Sequence, residues 1–189
     1  LFLGLTGAQV NARDALDLNL ADRCLGDDQQ AALLSGLEQL NWQEQPALQL
    51  NSLLKALEHE ARAQLPAAQW LPRRAQLDSL LDVADLPAAW RAISQLQNDQ
   101  DPLLARAGRT LSEGCPLTAH LVWEQIRRAK QLSLAEVFRM EYAMSLNCCR
   151  HPEFPEGVRA RLIDKDNQPH WHWPEVSGIS AAEIAAHFQ

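Results

Sequence analysis

Apolar residues recur at three- and four-residue intervals through most of this 189-residue chain, the spacing of a helix face packed against a core. In residues 154–171 the period is sharply bounded. Phe154, Val158 and Leu162 form one stripe, Pro155 suits a first helical turn, and Glu156 complements the positive end of the helix dipole. Asp164, Lys165, Asp166 and Asn167 end the run, and Pro169 cannot continue it. Ser133-Leu134-Ala135-Glu136 and Ser180-Ala181-Ala182-Glu183 are capping boxes, in which serine covers a free N–H and glutamate reaches back. The first opens a helix with Leu134, Val137, Phe138, Tyr142, Leu146 and Cys149 on one face. Glu141 falls within that stripe, so an ion pair with Arg159 or Arg150 is predicted for it.

Elsewhere the punctuation is similar. Asn11 offers an N-cap for a short helix over residues 12–18, and Asn19 a left-handed end. The acids Asp27 and Asp28 precede a helix over residues 31–40. From Trp42 to Leu111 short helices are separated by prolines, with Trp90, Ile93 and Leu96 on one side of a helix that begins at Pro87. Trp42, Trp70 and Trp90 are predicted to be packing anchors. A helix from Pro116 to about Lys130 carries Leu117, Leu121, Val122, Gln125 and Ala129 on one side. The predicted class is mainly α, with eight to ten helices and no repeat of fixed period.

Composition narrows the function more than the fold. Apolar residues make up 47% and charged residues 22%, as in an ordinary globular protein, and no apolar run approaches a membrane span. The net charge is -7, with fourteen acids against seven bases in residues 1–101 and ten of each beyond. That balance disfavours nucleic acid as a partner. Cys24, Cys115, Cys148 and Cys149 show no Cys-x-x-Cys spacing and read as free thiols. His170 and His172 are two residues apart, and two imidazoles do not make a metal site. No phosphate-binding glycine loop and no nucleophile triad is visible, so no catalytic residue is nominated, and no metal or cofactor.

Longer patterns carry a resemblance. Cys115-Pro116-Leu117-Thr118, Met140-Glu141-Tyr142, Phe154-x-Glu156-Gly157-Val158-Arg159-Ala160, Leu162-Ile163-Asp164-Lys165-Asp166 and Pro169-x-Trp171 resemble the C-terminal part of 3-hydroxyisobutyryl-CoA hydrolases, a branch of the enoyl-CoA hydratase/isomerase (crotonase) superfamily. Leu5-Thr6-Gly7, Ala12-Arg13-Asp14-Ala15 and Leu20-Ala21-Asp22-Arg23 look like the segment that follows that superfamily's catalytic spiral. The likeness is weakest over residues 29–101 and implies three regions: the end of a crotonase-like core at 1–26, a helical insert at 27–112, and a C-terminal helical region at 113–189.

The resemblance implies a helical C-terminal part whose catalytic α/β spiral half lies outside this sequence. It implies thioester hydrolysis of a β-hydroxyacyl-CoA in valine breakdown, with coenzyme A part of the substrate. The missing N-terminal spiral half and further copies of the chain are the implied partners, with no nucleic acid or membrane; the fragment alone is expected to be inactive. A cytoplasmic location follows if the source is bacterial. Lys165 lies near where related hydratases use a lysine for CoA phosphates; the competing reading is a helix-end lysine paired with Asp164 or Asp166. An enoyl-CoA hydratase or isomerase, or a non-enzymatic helical interaction module, are the alternative functions.

Overall fold

The computed structural model describes residues Leu1–Gln189, which form eleven α-helices with short 3₁₀ turns and a π turn, and no strand. The helices gather into two units, one made of Leu1–Ala8 with Leu77–Gln189 and a second of Gln9–Gln76. Helix α5 (Arg74–Leu81) spans the boundary between them along the chain.

In the second unit, α2 (Ala12–Asp17) is capped as its sequence predicts: Asn11 and Asp14 exchange the two bonds of a capping box. Asn19 follows at φ 55°, the left-handed position expected of it. Asp14 is also wholly buried, and its Oδ1 accepts from the backbone N–H groups of Gln69 and Trp70 at 2.7 and 2.9 Å. The Trp70 indole N–H donates to Gln9 O at 2.7 Å, which makes this ring a true anchor. Trp42, by contrast, is 51% exposed, so its predicted anchoring is not found. Helices α3 (Gln30–Gln39) and α4 (Pro46–Arg62) pack on each other, with Leu53 against Gly36. Buried Glu58 on α4 accepts from Arg23 at 2.7 Å and Arg62 at 3.2 Å, and these bonds hold its carboxyl below the ordinary range.

The first unit has the larger core. Helices α6 (Leu86–Gln95) and α7 (Pro102–Ser112) cross closely, burying Leu86, Ala89, Ile93, Leu104 and Leu111. Asp85 caps α6 and Asp101 caps α7, each ahead of a proline in the first turn. The short α1 (Phe2–Thr6) packs on α7 and on α8 (Pro116–Ala129), with Gly4 against Val122. Both serine capping boxes form, opening α9 (Leu134–Arg150) and α11 (Ala181–Ala186). Leu117 and Leu121 of α8 form an apolar cluster with Ile179, against which Trp173, Ile184 and Phe188 pack.

Helix α9 departs from its pattern. Its stripe reads as a core face, yet none of its residues is buried, and Leu134, Phe138 and Tyr142 are 72%, 62% and 72% exposed. Glu141 does not form the predicted ion pair. It accepts a 2.8 Å hydrogen bond from Gln125 of α8, and its half-buried carboxylate needs no cation.

Candidate functional site

The stretch with the most specific sequence pattern folds around one guanidinium. Helix α10 (Glu153–Val158) runs into a π turn at Arg159–Ile163, and there the chain turns back on itself. Arg159 grips Glu156 with two bonds of 2.9 and 2.8 Å. Its Nη1 donates to Asp164 at 2.6 Å and Asp166 at 2.7 Å, and its Nη2 to Gln168 O at 3.0 Å. Glu156 accepts from the His170 N–H as well, at 2.6 Å. Those bonds, with Arg159 first, hold the Glu156 carboxyl down to about 2. The arginine is thus a clamp that folds residues 164–170 over the helix end.

Lys165 stands between the two aspartates that this clamp binds. Asp164 and Asp166 both pair with Arg159, at 2.6 and 2.7 Å. Lys165 is exposed and held at φ 57°, with Asn167 at φ 55° two residues on. A left-handed backbone at a lysine is uncommon and is maintained here by the surrounding bonds. One is Asn167 N–H to Ala160 O at 3.0 Å, and another is Arg161 to Asn167 Oδ1 at 3.0 Å. The ammonium and the Arg161 guanidinium lie on one short exposed turn with no carboxylate partner.

Beside the clamp lies an apolar cavity of about 460 Å³. It is lined by the stripe of Phe154, Val158 and Leu162, by Leu117 and Leu121 of α8, and by Trp171. Trp171 reaches Gly157, where an added Cβ would stand 3.4 Å from the ring. Phe154 and Leu162 are 53% and 68% exposed, so this stripe lines an open hollow and does not fill a core. Cys115 and Cys148 also line it, and burial pushes both thiols up, which keeps them protonated and poor nucleophiles.

Sequence reasoning missed the grouping of His172, Trp173 and His187 around His151. Only the His170-x-His172 pair was visible, because the other two rings come from distant parts of the chain. No group of three or more His, Cys, Asp or Glu is arranged to hold a metal ion. No helix is long and apolar enough to cross a membrane.

The sequence profile of the family described as enoyl-CoA hydratase/isomerase matches residues 1–188. The chain is 28% identical over 181 residues to a mitochondrial 3-hydroxyisobutyryl-CoA hydrolase of Danio rerio, covering 95% of this chain and 46% of that protein. It is 26% identical over 189 residues to the Homo sapiens protein of the same name, covering 100% and 48%. Among solved structures, a carnitinyl-CoA dehydratase from Mycobacterium thermoresistibile shares the fold with a TM-score of 0.78 at 23% identity, covering 100% of this chain and 50% of that one. An enoyl-CoA hydratase from Rhodobacter sphaeroides 2.4.1 gives 0.75 at 25% identity, covering 99% and 50%. The chain therefore spans about half the length of the curated relatives it matches.

Proposed function

This chain belongs to the enoyl-CoA hydratase/isomerase family, and from that membership we propose that it is the helical C-terminal part of a 3-hydroxyisobutyryl-CoA hydrolase-like enzyme. The observation that carries the hydrolase reading is the match to 3-hydroxyisobutyryl-CoA hydrolases over nearly the whole chain. The Arg159-clamped turn is the local feature that agrees with it, since it is built from the residues that carry the resemblance. The oxyanion donors and the water-activating carboxylates that thioester hydrolysis requires would come from a partner half of α/β structure. The exposed apolar stripe of α9 is the face offered to that half, because a helix with such a stripe gains by being covered. An enoyl-CoA hydratase is the second reading, favoured by the Rhodobacter sphaeroides match.

The two reactions are separated by what leaves the substrate. With the intact enzyme, 3-hydroxyisobutyryl-CoA is expected to release free CoA thiol, and the 189-residue chain alone to release none. Addition of water to an enoyl-CoA, with no thiol released from any acyl-CoA, would replace the hydrolase by the hydratase.

In the same reading Lys165 contacts a phosphate of coenzyme A, supported by its exposed, unpaired ammonium. Lys165→Ala in the intact enzyme is expected to raise KM for the acyl-CoA about 2- to 5-fold, the range of an exposed ion pair, with kcat unchanged. A thioester lacking the nucleotide should show no difference between the two enzymes. Equal KM values for the full acyl-CoA would remove Lys165 from the binding site.

A further inference from the structure

The C-terminal helix is fastened beside two neighbouring imidazoles, His151 and His187. His187, just past α11, is 5% exposed. Its Nδ1 lies 2.9 Å from Glu183 O; a carbonyl only accepts, so Nδ1 carries the ring proton. Nε2 is left as a bare lone pair, fully buried and without a partner. His151, at the end of α9, lies 5.3 Å from the His187 ring and stacks on Trp173 at 4.8 Å and 14°. Its Nδ1 faces the Glu153 N–H at 3.4 Å and is the accepting nitrogen.

We propose that His151, packed beside His187 and Trp173, forms an acid-sensitive latch, which holds α11 and the Trp173 loop in place while its ring is neutral and releases them when it is protonated. A charge on His151 would lie 5.3 Å from the His187 ring, whose buried Nε2 has no partner, and would be partly removed from water in the docked state.

The groups packed around the rings offset this only in part. Helix α10 presents the Glu153 carboxylate, which already accepts from the His172 and Trp173 N–H groups at 3.1 and 3.2 Å. Helix α11 presents Glu183, whose carboxylate accepts from the Ser180 N–H at 2.8 Å. Helix α9 adds the neutral Cys148 and Asn147, the latter reaching Ala186 O, His187 O and Gln189 O. From α8, Arg128 sits over the Phe188 ring at 4.1 Å and contributes positive charge. His172, on the loop, is exposed and 6.3 Å from His151.

The His151 proton affinity is lowered by burial first and by His187 second, against the pull of Glu153 and Glu183. The released state therefore binds more protons than the docked one. Docking is at full strength above the ordinary imidazole value of about 6.5 and weakens as pH falls below it.

Hydrogen–deuterium exchange on the intact protein, corrected for intrinsic rates, reads the latch directly. Between pH 7.5 and 5.5, peptides from residues 175–189 are expected to lose protection by about tenfold, while those of α6 and α7 keep theirs. The double variant His151→Gln/His187→Gln should flatten that dependence. Equal tail protection at both pH values in the wild-type protein overturns the proposal, and so does an undiminished pH dependence in the variant. Should the variant's tail be undocked throughout, NMR titration of wild-type His151 decides. Release of the tail along the same curve supports the latch, and titration with the tail still protected overturns it.

Discussion

Replacing Gly108 by alanine is expected to destabilise the α6–α7 crossing by about 3 kcal/mol, beyond the middle of the overpacking range. Alanine in a helix interior is ordinarily better than glycine by about 1 kcal/mol, so the sign alone tests the argument. A Cβ at position 108 would stand 2.4 Å from Gln97 N, 2.8 Å from Leu96 C and 3.0 Å from Ile93 O. All three atoms are backbone, so no side-chain rotation can relieve the contact. The helices must separate, opening space beside Ile93, Leu104 and Leu111, which are at most 2% exposed. The melting temperature of the intact protein should fall by roughly 6–12 °C. Gly178, with nothing within 4 Å of its would-be Cβ, should accept alanine without loss. A Gly108→Ala protein as stable as wild type would mean that the two helices are not in contact as described.

Local chemistry is the legible part of this fold. Asn11, Ser133 and Ser180 cap the helices that their patterns predict, and Pro87 and Pro116 stand in first turns, because these preferences act over four residues or fewer. Which apolar faces are covered is not legible. The stripe through Leu134, Phe138 and Tyr142 has the period of a core face, and period records only that a face is apolar. Trp42 and Trp70 look alike in sequence, but only Trp70 meets a distant carboxylate that fixes its backbone. The place of Glu141 in its stripe calls for a cation, whereas the fold offers it an amide, and Arg159 is occupied elsewhere.

The candidate site divides the same way. Lys165 comes in only through the family resemblance, as a lysine near where related hydratases use one for CoA phosphates. Its freedom from Asp164 and Asp166 depends on the π turn, which rotates Arg159 into reach of both, and no propensity rule anticipates a single π turn. The histidine grouping depends on three rings drawn from α9, a loop and the chain end, so it required the tertiary fold.

Asp14→Ala should be the most damaging single change in the unit formed by Gln9–Gln76, costing about 3–5 kcal/mol. Asp14 is 0% exposed, and its two oxygens accept from the N–H groups of Asn11, Gln69 and Trp70. Removing the carboxylate leaves those donors without this acceptor and frees the segment that seats Trp70, the largest buried apolar side chain of the unit. Asp14→Asn keeps one oxygen for Gln69 and Trp70 but turns an amide N–H₂ toward the Asn11 N–H, so it should recover only part of the loss. Asp17, three residues on, pairs with Arg13 at 2.9 Å on the surface, and Asp17→Ala should cost under about 1 kcal/mol. Urea denaturation of the intact protein, followed by hydrogen exchange of residues 9–76, gives the ranking. The expected order of loss is alanine at 14, then asparagine at 14, then alanine at 17. Equal stabilities for Asp14→Ala and Asp17→Ala would show that the carboxylate is not what holds Trp70 in place.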